Sequence, residues 1–181
     1  MKVFGIDPGS ERTGYGCIET DGSHHRLVMS GAITLAAVRS FPDKLLTIHS
    51  SLTALLERAR PDCVAIENVF YANNARSALR LGHARGVAML AAVEAGVQVV
   101  EYTPAEVKRA VVGYGRADKD QVQHMVRLML NLAGPQPTHD AADALAVAIC
   151  HVHSLSPVRG AAAAGSRLPS ATSWRHYRPS R

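Results

Sequence analysis

Residues 2–20 read KVFGIDPGSERTGYGCIET, and this stretch decides the class of fold. Its first six residues form a short apolar run that ends on an acid, Asp7, and the Pro8, Gly9, Ser10 sequence that follows carries turn chemistry. TGYGCIET at 13–20 is a second strand-like run. HRLVMSGAITL at 25–35 is a third, after the polar residues Asp21, Gly22 and Ser23. Three strands with short connections predict an antiparallel meander.

Working outward, Ser40, Pro42 and Asp43 open an amphipathic helix with a capping-box pattern, whose buried stripe is Leu45, Ile48, Leu52, Leu55 and Leu56, and Pro61 ends it. CVAIENV at 63–69 is a fourth strand that again finishes near an acid, Glu67. A second long helix runs from Asn74 toward Gly96. Its Gly82, Ala84, Gly86, Ala88, Ala91 and Ala92 permit close approach to the sheet or to another subunit. VQVVEY supplies a fifth strand, Thr103, Pro104 and Glu106 start a third helix, Asp118 starts a fourth, and a last helix carries Asp140 and ends near His153. Strands alternating with helices after a meander predict an α/β fold, a five-stranded mixed sheet flanked by helices on both faces. Residues 1–154 are expected to form one domain. The Ala-, Ser-, Pro- and Arg-rich residues 155–181 have no hydrophobic period and are expected to be a disordered tail.

The chemistry is concentrated in four acids. Asp140 and Asp143 lie three apart, on one side of a helix otherwise made of Ala, Leu, Val, Ile and Cys, with no Lys or Arg between Thr138 and Ser154. Ionised carboxylates beside a buried surface need a positive partner, from elsewhere in the fold or from metal. Asp140 alone is also explained as a first-turn acid welcomed by the helix dipole. Asp7 and Glu67 end the first and fourth strands. If those strands are parallel neighbours, both acids sit at the carboxyl edge where open α/β sheets bind ligands. Four carboxylates at one edge repel each other and raise each other's pKa values unless divalent ions intervene, and all-oxygen ligation favours Mg²⁺ or Mn²⁺ over zinc. His151 and His153, near a helix C-terminus, are accounted for by that position without zinc.

Composition narrows the setting. The chain has 181 residues, 47% apolar and 19% charged, and a net charge of +5. Five Arg after Ser154 account for that excess, leaving fifteen basic and fifteen acidic residues before it. Residues 73–137 hold eight Lys/Arg against five acids, a positive region beside an acidic site, which suits a polyanionic substrate. No run is long enough to span a bilayer, the start lacks signal-peptide features, and Cys17, Cys63 and Cys150 read as free buried thiols. A cytoplasmic location is expected.

The segments GIDPGSERTGYG, AIENVFYANNARSALRLGHARG, VKRAVVGYGRADKDQVQHMV and DAADALAVAICHVH, in this order, resemble the RuvC family of bacterial Holliday-junction resolvases, from Met1 to about Ser154. The resemblance implies a ribonuclease H-like fold, a homodimer, and nicking of four-way DNA junctions that leaves 5′-phosphate and 3′-hydroxyl ends. It further implies two Mg²⁺ per site, with Mn²⁺ able to substitute, and work beside the RuvA and RuvB branch-migration proteins. By motif position Asp7, Glu67, Asp140 and Asp143 correspond to the catalytic, metal-binding carboxylates. Some relatives carry His at the position of Asp140; His139, adjacent here, is a candidate supporting donor or proton carrier. Lys108 and Lys119 match basic positions used for DNA handling. Arg116 flanks the glycine loop Gly113-Tyr114-Gly115 that lies between those two lysines, while Arg76, with Arg80 and Arg85, serves either DNA or solvent. Phe70 matches an aromatic position that contacts the junction, and with Tyr71 it is expected to stack on unpaired bases, the alternative being that Phe70 packs as core. Actin-like and sugar-kinase domains also open on Gly-Ile-Asp-x-Gly, but they need a second similar half that this chain lacks. A nonenzymatic junction binder is the other rival, and it would be expected to have lost catalytic acids.

Overall fold

Period-two alternation along the strands sorts their side chains into two cores. The computed structural model describes residues 1–68 and 74–155. Strands β1 (Lys2–Asp7), β2 (Arg12–Thr20), β3 (His25–Thr34), β4 (Cys63–Glu67) and β5 (Gln98–Tyr102) form a single sheet in the order β3-β2-β1-β4-β5. The β1–β2 and β2–β3 pairs are antiparallel, as the short connections predict, and β1–β4 and β4–β5 are parallel. The five-stranded mixed sheet is therefore as expected, with β1 and β4 as parallel neighbours. Phe70, Tyr71 and, beyond Leu155, the tail lie outside the described residues.

Among the described residues five helices cover the sheet: α1 (Phe41–Ala59), α2 (Ala75–Glu94), α3 (Pro104–Val112), α4 (Lys119–Met129) and α5 (His139–Leu155). Phe4 and Ile6 of β1, Cys17 of β2 and Val64 and Ile66 of β4 point to one face, where they pack with Ile48, Leu52 and Leu56 of α1 and Ala84, Ala88, Ala91 and Ala92 of α2. Val3, Ile18 and Ala65 point to the other face, against Val107 and Val111 of α3, Val122 and Val126 of α4, and Leu145, Val147 and Ile149 of α5. Leu45 and Leu55, expected in the α1 stripe, are only partly buried at its margins. α5 runs one residue past the boundary expected at 154.

The helix starts are set locally. The Ser40 hydroxyl accepts from the Asp43 N–H. Thr103 and Glu106 form a reciprocal capping box at α3, and Asp118 and Gln121 form another at α4. The two glycines of α2 divide from its alanines: Ala84, Ala88, Ala91 and Ala92 are buried, whereas a Cβ on Gly82 or Gly86 would meet nothing within 4 Å. Cys17, Cys63 and Cys150 are free and buried. Among the described residues no helix is long and apolar enough to cross a membrane.

Candidate active site

A track of glycines brings the acids together. Gly5 of β1 and Gly14 and Gly16 of β2 all face α5. A Cβ on Gly5 would lie 2.0 Å from the Ala144 carbonyl oxygen, and one on Gly14 would lie 2.0 Å from that of Asp140. α5 therefore rests directly on the backbone of the sheet, which only residues without a side chain permit. Asp7 is paired with Gly14 in the β1–β2 ladder, so the first turn of α5 sits over the neighbour of Asp7. Asp7 follows Val3 and Gly5 on that face, and Glu67 follows Cys63 and Ala65, so both strand-end acids point toward the α5 side.

Asp7, Glu67 and Asp143 line one cavity of about 300 Å³ together with Pro8, Leu81, Pro104, Val107, Lys108, Lys119 and Val122. Asp140 is not part of that lining. It stands one helical turn before Asp143, with its Oδ2 3.3 Å from a guanidinium nitrogen of Arg12. The Lys119 ammonium approaches Asp143 Oδ2 at 3.4 Å. The cations that α5 lacks thus come from the start of β2 and the start of α4. A lysine in the first turn of a helix opposes the macrodipole; the Asp118–Gln121 box holds the turn in place and Asp143 gives the ammonium its counter-charge.

Burial is the main force that pushes the Asp7 carboxyl well above its ordinary range, reinforced by the charges of Glu67 and Asp143 and by a hydrogen bond to Glu67, and opposed by Lys119. Burial, then Asp143, also raises Glu67, while its hydrogen bond with Asp7, Lys119 and Lys108 pull it down. Both carboxyls of this pair are therefore held toward their protonated forms. The same field raises the Lys119 ammonium, chiefly through Asp143, with Asp7 and Asp140 adding to it. One ammonium thus answers to all four acids.

This donor set fits a hard divalent cation: every candidate ligand is a carboxylate oxygen, and two of the acids are held above their usual pKa values by burial and by the neighbouring carboxylates. Among the described residues, no three or more His, Cys, Asp or Glu side chains close into a ready-made metal cage; the acids line a cavity instead.

The other expected residues divide. Lys108 lines the cavity. Arg116 and Arg76 are exposed. Arg80 lies 5.5 Å over the ring of Phe41, and Arg85 is paired with Glu101, so that ridge is partly committed to packing. His139 is exposed, 4.0 Å from Asp120 Oδ1, and meets none of the acids in the cavity. His151 is bonded to the Tyr102 hydroxyl at 2.8 Å and His153 to the Ala110 carbonyl at 3.0 Å, in keeping with structural roles. Sequence reading did not single out Arg12. Its signal was present: residues 12, 14 and 16 of one strand share a face.

The family model for crossover junction endodeoxyribonuclease RuvC matches residues 3–151. The chain belongs to the RuvC family. RuvC of Pelobacter propionicus is 51% identical over 180 residues, covering 99% of this chain and all of that one. RuvC of Trichlorobacter lovleyi is 50% identical over 182 residues, with the same coverage. Among solved structures, Thermus thermophilus RuvC is 37% identical with a TM-score of 0.75, over 84% of this chain and 94% of that chain. The T. thermophilus RuvC complex with a Holliday junction substrate superposes with a TM-score of 0.76 at 33% identity, over 84% of this chain and 94% of that one. The fold is the ribonuclease H-like fold of RuvC.

Proposed function

We propose that this RuvC-family chain resolves four-way DNA junctions in recombination and repair, by paired symmetric nicks that hydrolyse phosphodiesters to 5′-phosphate and 3′-hydroxyl ends. The observation that carries the reading is the shared cavity of Asp7, Glu67 and Asp143, flanked by Lys108 and Lys119. Relatives at about half identity over the full chain are named crossover junction endodeoxyribonucleases, and a solved RuvC relative is a complex with junction substrate.

Asp7, Glu67 and Asp143 would hold Mg²⁺, with Asp140 joining them from the preceding turn of α5. Two ions are expected, and Mn²⁺ is expected to substitute. Such ions supply Lewis acidity at the phosphoryl oxygens and activate the attacking water. Lys119 and Lys108 hold the phosphate at the cavity and balance its charge, and Arg116 and Arg76 extend the basic surface along the DNA. Salt should therefore weaken junction binding steeply. Phe70 and Tyr71 would stack on bases unpaired at the crossover, and His139 would act only in support.

Two symmetric nicks call for two active sites. Leu79, Leu90 and Val93 are exposed on α2, and Leu79, Gly82, His83, Gly86 and Leu90 line an apolar groove of about 480 Å³. That stripe supports a homodimer seated on α2. Residues 1–154 would form the nuclease domain, with residues 155–181 as a separate tail. The protein would act in the cytoplasm beside RuvA and RuvB.

The deciding experiment incubates a synthetic four-way junction with and without Mg²⁺. Wild type should nick symmetric strands only with metal. Asp7→Asn should cut at least about 10³-fold more slowly while retaining junction binding; robust cutting by that variant refutes the metal assignment. Phe70→Ala should lose more cleavage than melting stability. Leu79→Glu with Leu90→Glu should yield a monomer by light scattering that no longer makes paired nicks.

A further inference from the structure

The two acids of α5 are each ion-paired to a cation, and the two cations differ in character. Lys119 sits within the field of all four acids, and its ammonium faces Asp143. Arg12 touches Asp140, outside the cavity lining, and no other ion pair is recorded for either of them among the described residues. The Arg12 side chain is 59% exposed and that of Asp140 is 29% exposed. Both observations follow from the glycine track: Arg12, Gly14 and Gly16 lie at alternate positions of β2, so the face that seats α5 on bare backbone also sends the guanidinium up beside its first turn.

An ion pair this exposed contributes little to stability. α5 is held instead by backbone contact at Gly5 and Gly14 and by a helix buried from Ala144 to Val152. The guanidinium is thus dispensable for the fold, yet it holds one oxygen of an acid that the proposed function assigns to metal. An oxygen cannot fully serve both cations, and a fixed positive charge beside the site also repels an incoming one.

We propose that Arg12 is a positioning residue that sets the divalent-metal affinity of the acidic cluster, by occupying Asp140 until an ion takes its place. This rests on the reading of Asp140 and its three partners as metal ligands. Arg12 keeps the first turn of α5 neutralised when the cluster is metal-free and makes ion entry a competition. The competition should be strongest at low salt, where a half-exposed charge is least screened.

The test is Mn²⁺ binding to the full-length, DNA-free protein, followed by the electron paramagnetic resonance signal of unbound Mn²⁺ at low ionic strength. Arg12→Gln should bind Mn²⁺ about 3–10-fold more tightly than wild type. Arg12→Lys, which keeps the charge, should stay near wild type. In an Asp140→Asn background the effect of Arg12→Gln should shrink by at least about half, the coupling expected of groups in contact. Thermal melting of Arg12→Gln should stay within about 3 °C of wild type, so a change in affinity cannot be a change in folding. Unchanged or weaker Mn²⁺ binding by Arg12→Gln, or an effect undiminished by Asp140→Asn, overturns the proposal and leaves the metal reading standing. Failure of the wild type itself to bind Mn²⁺ overturns both.

Discussion

The two faces of the sheet are packed by opposite means. On the α1–α2 face, Phe4, Ile6 and Ile66 interdigitate with Ile48, Leu52 and Leu56, so side chains fill the space between sheet and helix. On the α5 face, Gly5 and Gly14 remove the side chains and let helix backbone touch strand backbone, while Gly16 makes room for the Leu145 side chain. A side-chain interface can relax when one residue is trimmed, but a backbone interface has nothing that can rotate away. The cavity acids sit on the second kind of face, which has the tighter placement. The first kind carries on its outer side the exposed apolar stripe of α2.

The largest effect should come from filling the track. In Gly5→Ala the new methyl would lie 2.0 Å from the Ala144 carbonyl oxygen and 2.9 Å from the Ala148 nitrogen, both backbone atoms, so α5 must retreat and carry Asp140 and Asp143 with it. A cost of about 3 kcal/mol and a melting point lower by roughly 10 °C are expected, with junction cleavage down at least about 100-fold at a temperature where the variant is folded. Leu52→Ala on the opposite face should cost a similar 2–5 kcal/mol or so yet leave cleavage within about threefold. Equal losses of activity in the two variants, measured per folded molecule, would break the contrast.

An intermediate effect should appear with pH. A carboxyl whose pKa is raised on folding lends its stability below the unfolded value and loses it as pH climbs through the folded one. Asp7 is such a group, and Glu67 follows it. Metal-free wild type and Asp7→Asn should therefore melt together near pH 4, while by pH 8 the variant should melt higher by about 3–6 °C. Adding Mg²⁺ at pH 8 should close or reverse that gap. Scanning calorimetry across this range would sharpen the comparison, because among the described residues no acid is buried in the α1–α2 core.

The smallest effect concerns the far end of α5. The Tyr102 hydroxyl bonds His151 Nδ1 and Ser154 Oγ, both at 2.8 Å, tying the last strand to the last turn of the helix. Tyr102→Phe should cost about 1 kcal/mol, lowering the melting point by about 3 °C with cleavage within threefold. A larger loss of cleavage would mean that the backbone track alone does not position α5.

Much of this was legible in the chain, for local reasons. Thr103 with Glu106 and Asp118 with Gln121 announce helix starts because capping needs only three-residue spacing. Asp7 and Glu67 announce an edge because each ends an apolar run, and the parallel pairing of β1 and β4 makes that edge common to both. What stayed hidden depends on partners far apart in sequence. Arg12 and Asp140 are 128 residues apart and Lys119 and Asp143 are 24 apart; neither pairing has a local signature. The small residues of α2 looked like one stripe for close approach, but a helix points its successive residues around a circle. The alanines face the core and Gly82 and Gly86 face outward. Gly5, Gly14 and Gly16 likewise carry no local sign of the helix that covers them, because α5 lies far along the chain.

The three cysteines have a practical consequence. Burial pushes the Cys17 thiol up to about 11 and the Cys150 thiol up to about 12, and raises Cys63 as well. Thiolate is the form that reacts with maleimides and oxidants, so the native protein should stay silent to such reagents while folded. A single cysteine placed on an exposed helix would then be the sole attachment point for a fluorophore or spin label, with no need to strip the natural sulfur from either core.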